Sequence, residues 1–332
     1  GTLTHTDVDT NNDDNTFTDV TNVASTYGAY SVSSNTLADI NFTKHNIDEN
    51  FNGAYSVYAA DIDGDGDIDI LGSGSGSPSN HPDYDGGISI VWWENDGSKS
   101  FTKHIIHSGE NNHSMSSYVI DVDGDGDNDV LGAIYFSTSG GSSAGSKFSW
   151  FENDGNEVFS EHIIYESSTS SATRIYASDI DGDGDIDILG TSYDSDSIIW
   201  WENDGSESFT DHTIDSSFDG ANGVYSSDID GDGDIDILGA AFYADDIVWW
   251  ENDGSESFIK HTIDSDFDFA KGVYSSDIDG DGDIDILGAA LRADEVVWWE
   301  NNGAESFTKH IVDNGFTDAN FVYPVDIDND GD

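Results

Sequence analysis

Five carboxylates within nine residues limit what this chain can fold into. The phrase Asp61-Ile-Asp63-Gly-Asp65-Gly66-Asp67-Ile-Asp69 puts an aspartate at every second position and glycine at the sixth. It returns as Asp121, Asp123, Asp125, Asp127 and Asp129, and again as Asp179, Asp181, Asp183, Asp185 and Asp187. Two further copies hold Asp228, Asp230, Asp232, Asp234 and Asp236, then Asp277, Asp279, Asp281, Asp283 and Asp285. A sixth, cut short by the end of the sequence, supplies Asp326, Asp328, Asp330 and Asp332. Such crowded charges repel one another unless a cation sits among them. Oxygen ligands at positions 1, 3, 5 and 9, a carbonyl at 7 and a sharp glycine turn at 6 suit calcium.

The same spacing opens an EF-hand, whose loop ends on a bidentate glutamate at position 12 between two helices. Here position 12 is Gly72, Gly132, Gly190, Gly239 or Gly288, and the flanks are short and β-rich. No helical period of apolar residues borders any copy, which argues against an EF-hand.

The phrase belongs to a longer repeat. From Gly223 one unit runs through Val-Tyr-Ser-Ser, the loop, Ile237-Leu-Gly-Ala-Ala, Ile247-Val-Trp-Trp-Glu-Asn, Asp253-Gly254 and Ser257-Phe-Ile-Lys-His. The last four copies start 49 residues apart, at Asp179, Asp228, Asp277 and Asp326. Asp7, Asp9, Asn11, Asp13 and Asn15 look like a decayed first copy without its turn glycine. Each unit offers four short strands, and Asn-Asp-Gly between the third and fourth predicts a two-residue hairpin turn. In Ile247-Val-Trp-Trp both alternating faces are apolar, which predicts a strand covered on both sides. Stacked four-stranded sheets of this size predict an all-β fold, a β-propeller.

The stretch 277–290, an aspartate loop followed by Ile-Leu-Gly-Ala-Ala, resembles the FG-GAP/VCBS repeats, the family that includes the integrin α-subunit propeller. The resemblance covers nearly the whole chain. It implies calcium in loops joining the innermost strand of each blade to the second, one ion per repeat, five to seven in all. The recurring Trp-Trp-Glu-Asn is similar to secreted bacterial members. The chain reads as one repeat domain, 1–332, with a partial blade at 1–52, five complete repeats at 53–313 and a partial blade at 314–332. The two partial pieces, strands within 16–47 and one at 321–325, would make one blade with a one-plus-three clasp and close six blades. Seven blades is the alternative, since family members usually have seven; exchange of the last strand between molecules would instead build fibres.

Composition narrows the role. Sixty-nine acidic and nine basic side chains give a formal charge of −60. Six calcium ions would offset about a fifth of that. Such a surface repels nucleic acid and anionic membranes, and no apolar run is long enough to span a bilayer. Nine Trp, fourteen Tyr and seventeen Phe at regular places argue for packed cores rather than disorder. Without cysteine, metal takes the stapling role. Filling of weak calcium sites points to a secreted or cell-surface protein, and the missing initiator Met to a processed segment.

Inserts at 73–87, with His81, Asp83, Tyr84 and Asp85, and at 134–147, with Tyr135 and Phe136, could mark a binding face. All nine Trp, from Trp92 to Trp299, sit in the repeated strand and read as packing residues. His45, His104, His162, His212, His261 and His310 recur at one strand position, which suits structure better than catalysis. His107 and His113 fall outside that period. No Ser-His-Asp spacing, nucleotide loop or zinc signature is present. The expectation is a non-enzymatic calcium-binding propeller for adhesion, surface recognition or assembly, meeting a protein or glycan ligand. A lectin is the alternative, and a polysaccharide lyase a weaker one, since basic residues are scarce.

Overall fold

The computed structural model describes residues 44–51, 53–75, 87–109, 112–137 and 143–325. Among them every regular element is a β-strand, and twenty strands form five four-stranded antiparallel sheets. The first holds β1 (Ala54–Ala60), β2 (Asp69–Gly74), β3 (Ile88–Asn95) and β4 (Phe101–Ser108). The second holds β5 (Asn112–Ile120), β6 (Asp129–Ser137), β7 (Ser143–Asn153) and β8 (Phe159–Ser167). In the third are β9 (Ala172–Ser178), β10 (Asp187–Ser192), β11 (Ser197–Asn203) and β12 (Phe209–Asp215). The fourth comprises β13 (Ala221–Ser227), β14 (Asp236–Ala241), β15 (Asp246–Asn252) and β16 (Phe258–Asp264). The fifth comprises β17 (Ala270–Ser276), β18 (Asp285–Ala290), β19 (Glu295–Asn301) and β20 (Phe307–Asp313). No helix among the described residues is long and apolar enough to cross a membrane.

Each sheet packs its faces on its neighbours, as the doubly apolar third strands anticipate. Ile247, Val248, Trp249 and Trp250 are all buried, on both faces of β15. The second Trp of each pair lies over the glycine of Ile-Leu-Gly in the adjacent strand. A methyl group on Gly72, Gly190, Gly239 or Gly288 would meet that indole at 2.6 to 2.8 Å. These glycines are therefore required by a ring and not by a turn. Phenylalanines in the links between sheets close the same interface edge-on. Phe218 meets Trp250 at 5.0 Å and 86°, Phe267 meets Trp299 at 5.0 Å and 85°, and Phe51 meets Trp93 at 5.3 Å and 85°.

The first strands of successive sheets converge in a propeller-like arrangement, marked by stacked phenols. Tyr58, Tyr118, Tyr176, Tyr225, Tyr274 and Tyr323 follow one another with ring centroids 4.9, 4.7, 4.6, 4.1 and 4.9 Å apart. Five come from β1, β5, β9, β13 and β17, and the sixth from the segment after the last sheet. Glycine makes the close approach possible: a side chain on Gly223 would strike the Lys271 carbonyl at 2.4 Å. One on Gly272 would strike the Asn320 carbonyl at 2.8 Å.

The Asn-Asp-Gly turn differs from the expected two-residue hairpin. Asn95 still pairs with Phe101, so five residues make the connection. Asp96 N–H donates to the Ser100 carbonyl at 3.1 Å, while its carboxylate accepts from Ser98 N–H at 2.9 Å. Gly97 and Lys99 both take positive φ. The aspartate ties its own loop together, and that local bond stabilises the longer turn. The second insert lengthens a hairpin, since β6 and β7 pair as far as Ser137 and Ser143. Of the first insert, 76–86 lie outside the described residues, with His81, Asp83, Tyr84 and Asp85. Asp7 to Asn15, Asp326, Asp328, Asp330 and Asp332 lie outside them too.

Candidate metal centre

All five described aspartate loops join the first strand of a sheet to its second. The glycines at positions 4 and 6 have positive φ, reaching 95° to 102° at position 6, which a residue with a Cβ rarely adopts. Curling the loop brings positions 1, 3 and 9 together. Carboxylate oxygens of Asp61, Asp63 and Asp69 lie within 4.8 Å of one another, as do those of Asp121, Asp123 and Asp129.

The five positions play different parts. Position 1 accepts the N–H of position 6, as Asp61 does from Gly66 at 3.0 Å. Positions 3 and 5 each accept the N–H two residues on: Asp65 N–H donates to Asp63 at 3.1 Å, and Asp67 N–H to Asp65 at 2.8 Å. At position 7 the carboxylate of Asp67, Asp127, Asp185, Asp234 or Asp283 is pressed against the turn glycine of the same sheet, leaving no room for a Cβ there. Position 9 is wholly buried in every copy, at Asp69, Asp129, Asp187, Asp236 and Asp285. In the fourth loop one Asp236 oxygen accepts from Ile229 N–H and the other from Asn252 N–H, both at 2.8 Å. The ninth aspartate thus fastens the loop to the end of the third strand. The regular spacing marked it only as a ligand, and its second role depends on a contact distant in sequence.

From the second sheet on, the asparagine that ends each third strand carries the linkage back to the preceding sheet. Asn252 Nδ2 donates to the Ile235 carbonyl of its own loop and to the Ile180 carbonyl of the preceding loop, both at 3.2 Å. Asn301 does the same with Ile284 at 3.1 Å and Ile229 at 3.2 Å. Asn153 and Asn203 repeat the pattern. Adjacent loops are therefore joined by one amide.

The electrostatics are those of a site short of positive charge. Burial pushes Asp129 up to about 6 and Asp187 and Asp236 up to about 7, against the lowering effect of the backbone N–H groups they accept. Burial and neighbouring carboxylates also raise position 3, from Asp63 to Asp279. One oxygen each of Asp61 and Asp179 is buried without a hydrogen-bond partner among the described residues. A carboxylate oxygen held from water and unpaired is what a divalent cation would satisfy, so the residues present fit calcium.

The periodic histidines serve packing. His104, His162, His212, His261 and His310 stack on Trp92, Trp150, Trp200, Trp249 and Trp298, with centroids 4.5 to 4.7 Å apart. Each ring also lies 2.6 to 2.8 Å from the glutamate of the neighbouring strand, as His261 does from Glu251. A glutamate on the next sheet completes three such groups: Glu157 beside Glu94 and His104, Glu256 beside Glu202 and His212, and Glu305 beside Glu251 and His261. His107 pairs with Ser89 at 2.7 Å, and His113 stacks on Tyr135 at 4.5 Å. That stack holds one of the tyrosines expected to meet a ligand.

Comparison with family models agrees with this repeat. A model of the FG-GAP-like repeat matches 79–132, 179–239, 228–288 and 277–332, together more than half of the chain. No curated protein sequence is significantly similar to it. A Lactobacillus plantarum protein of solved structure is 9% identical with a TM-score of 0.50, covering 73% of this chain and 66% of its own. A Desulfotomaculum acetoxidans protein is 12% identical with a TM-score of 0.49, covering 76% and 70%. An Agrocybe aegerita lectin that recognises non-reducing terminal N-acetylglucosamine is 17% identical with a TM-score of 0.43, covering 80% and 82%. With the loops, the Trp strands and the matched segments in agreement, the chain belongs to the FG-GAP-like repeat family.

Proposed function

We propose that this protein is a non-enzymatic, extracellular β-propeller that binds calcium in its aspartate loops and serves adhesion or surface recognition. The observation that carries the reading is the set of converging carboxylates with buried, unpartnered oxygens at Asp61 and Asp179. Positions 1, 3, 5 and 9 and the carbonyl at 7 would hold the ion, with positions 1, 3 and 9 already converging. A bound ion would neutralise the loop carboxylates, a structural chemistry, while the ninth aspartate holds the loop to the third strand. Calorimetric titration of chelator-treated protein with calcium tests this: saturable binding of about one ion per loop is expected, and no heat would refute it.

Six blades are the favoured closure. Segment 319–325 stands beside β17 as β17 stands beside β13, with Gly272 against Asn320 as Gly223 is against Lys271. The Tyr58 phenol, already raised by burial, feels both Tyr118 and Tyr323. At the other end of the chain, Lys103 pairs with Asp48 at 2.9 Å. This matches Lys260 with Asp215 and Lys309 with Asp264, each reaching the end of the preceding sheet. Asp48 and Phe51 therefore stand where a fourth strand of a closing blade would end. Negative-stain electron microscopy should show discrete six-lobed rings; seven lobes or fibres would reject the closure.

A further inference from the structure

Apart from the exposed Lys44 and Lys99, the basic residues divide into two groups. Lys103, Lys147, Lys260 and Lys309 each have a carboxylate partner. Arg174, Lys271 and Arg292 have no ion pair among the described residues, in a chain with 69 acidic side chains. Arg174 and Lys271 begin innermost strands, and Arg292 lies in the β18–β19 connection. All three are thus at the end of the molecule opposite the aspartate loops.

Arg174 and Lys271 line one axial pocket of about 100 Å³, with Tyr55, Met115, Thr173, Asn222, Asn320 and Phe321. Six of these residues stand three positions before a tyrosine of the stacked series: Tyr55, Met115, Thr173, Asn222, Lys271 and Asn320. The pocket mouth is therefore a ring with one side chain from each converging strand. Where the fourth and fifth sheets have Gly223 and Gly272, the third has Arg174. Its guanidinium lies 4.0 Å from the Phe321 ring centroid, and Nη1 donates to the carbonyls of Thr173 at 3.1 Å and Met115 at 3.3 Å. Two of its five N–H groups have acceptors among the described residues at most, leaving the fork open. Lys271 makes no hydrogen bond among those residues. Burial and then the Arg174 charge hold its ammonium below the usual lysine range, with Asp318 opposing them.

Two cations on one pocket, neither in an ion pair among the described residues and with only the Asp318 charge acting against them, form the complement of a bound anion. The amides of Asn222 and Asn320 and the Tyr55 phenol add neutral hydrogen-bonding groups, while the Thr173 hydroxyl is already engaged by Thr191 and Ala221. Aromatic surface surrounds them: Phe321 is half exposed, and Phe242 stacks on Phe269 at 4.2 Å with Arg292 over Phe269 at 4.4 Å. Flat rings beside hydroxyl- and amide-bearing groups suit the faces and hydroxyls of a sugar. The overall charge of −60 repels polyanions at long range, which favours a ligand with a single negative group. We propose that this axial pocket binds the lone carboxylate or sulfate of an acidic monosaccharide unit, with Arg174 and Lys271 gripping the anion.

The test uses calcium-saturated full-length chain and titrates glucuronate, galactose 6-sulfate, glucose and inorganic sulfate by calorimetry. Glucuronate or the sulfated galactose should bind, and glucose at least tenfold more weakly. K271Q should weaken the acidic sugar tenfold or more while leaving calcium binding and the melting temperature unchanged. R174Q should do the same, but it also removes the bonds to Met115 and Thr173, so K271Q is the decisive variant. K309Q, on an outer strand, serves as the control and should bind like the parent. Equal binding of glucose and glucuronate, or an unaffected K271Q, would overturn the proposal. Inorganic sulfate binding as tightly as the sugars would reduce the pocket to an adventitious ion only. Calcium titration is read separately, so failure here leaves the metal assignment standing.

Discussion

At the scale of single residues, the repeat uses aspartate in two ways. Asp236 is a buried acceptor of two backbone N–H groups as well as part of the proposed ion site. Asn can accept at one oxygen only, and its NH₂ would face the other donor. D236N should therefore lower stability by about 1–3 kcal/mol and weaken calcium at the fourth loop, measured by denaturant unfolding with and without calcium. G239A tests the indole contact, because its methyl would meet Trp250 at 2.8 Å and Phe218 at 3.0 Å. Overpacking of this kind costs about 1–3 kcal/mol. His107 gives a pH dependence: burial, then Lys147, push it down to about 4, with Glu161 opposing. The unfolded chain binds its proton near 6.5 and the folded chain only near 4, so stability from this group is present above pH 6.5 and is lost as pH falls toward 4. H107Q should reduce the acid sensitivity in that window by up to about 3 kcal/mol, measured as unfolding free energy against pH.

At the scale of elements, sequence and structure correspond where the physics is local. The third strand was legible because apolar residues on both faces have one common explanation, and β15 is buried throughout. The loop was legible because only a strict alternation with glycine makes so many carboxylates converge. Other features depend on partners far along the chain and leave no local mark. Gly239 needs to be glycine because of Trp250, and Asn252 because of two carbonyls, one of them 72 residues back. The axial pocket was not legible, since Arg174 and Lys271 break the repeat and meet only when the first strands converge. Among the elements, the amide between loops carries the clearest test. N252A should lower calcium affinity at the third and fourth loops together, whereas a purely local asparagine would affect the fourth alone; calcium titration of N252A in D179N and D228N backgrounds separates the two.

For the whole molecule, the balance is between packed sheets and a charge of −60. Calcium held at the proposed sites would stabilise the native state by about 2.7 kcal/mol per site at a hundredfold excess over its Kd. EDTA should therefore lower the melting temperature sharply, and added calcium should restore it. Moderate monovalent salt should recover only part of the loss by screening exposed aspartates. An unchanged melt in EDTA would remove the structural role of the ions.

The unbroken run of phenols from Tyr58 to Tyr323 also serves as a spectroscopic reporter. Because the Trp side chains sit between sheets and the stacked tyrosines at their convergence, the tyrosine bands of the near-ultraviolet circular dichroism and the indole fluorescence record different parts of the same unfolding. Separation of the two signals during chelation would show which gives way first, the hub or the spokes.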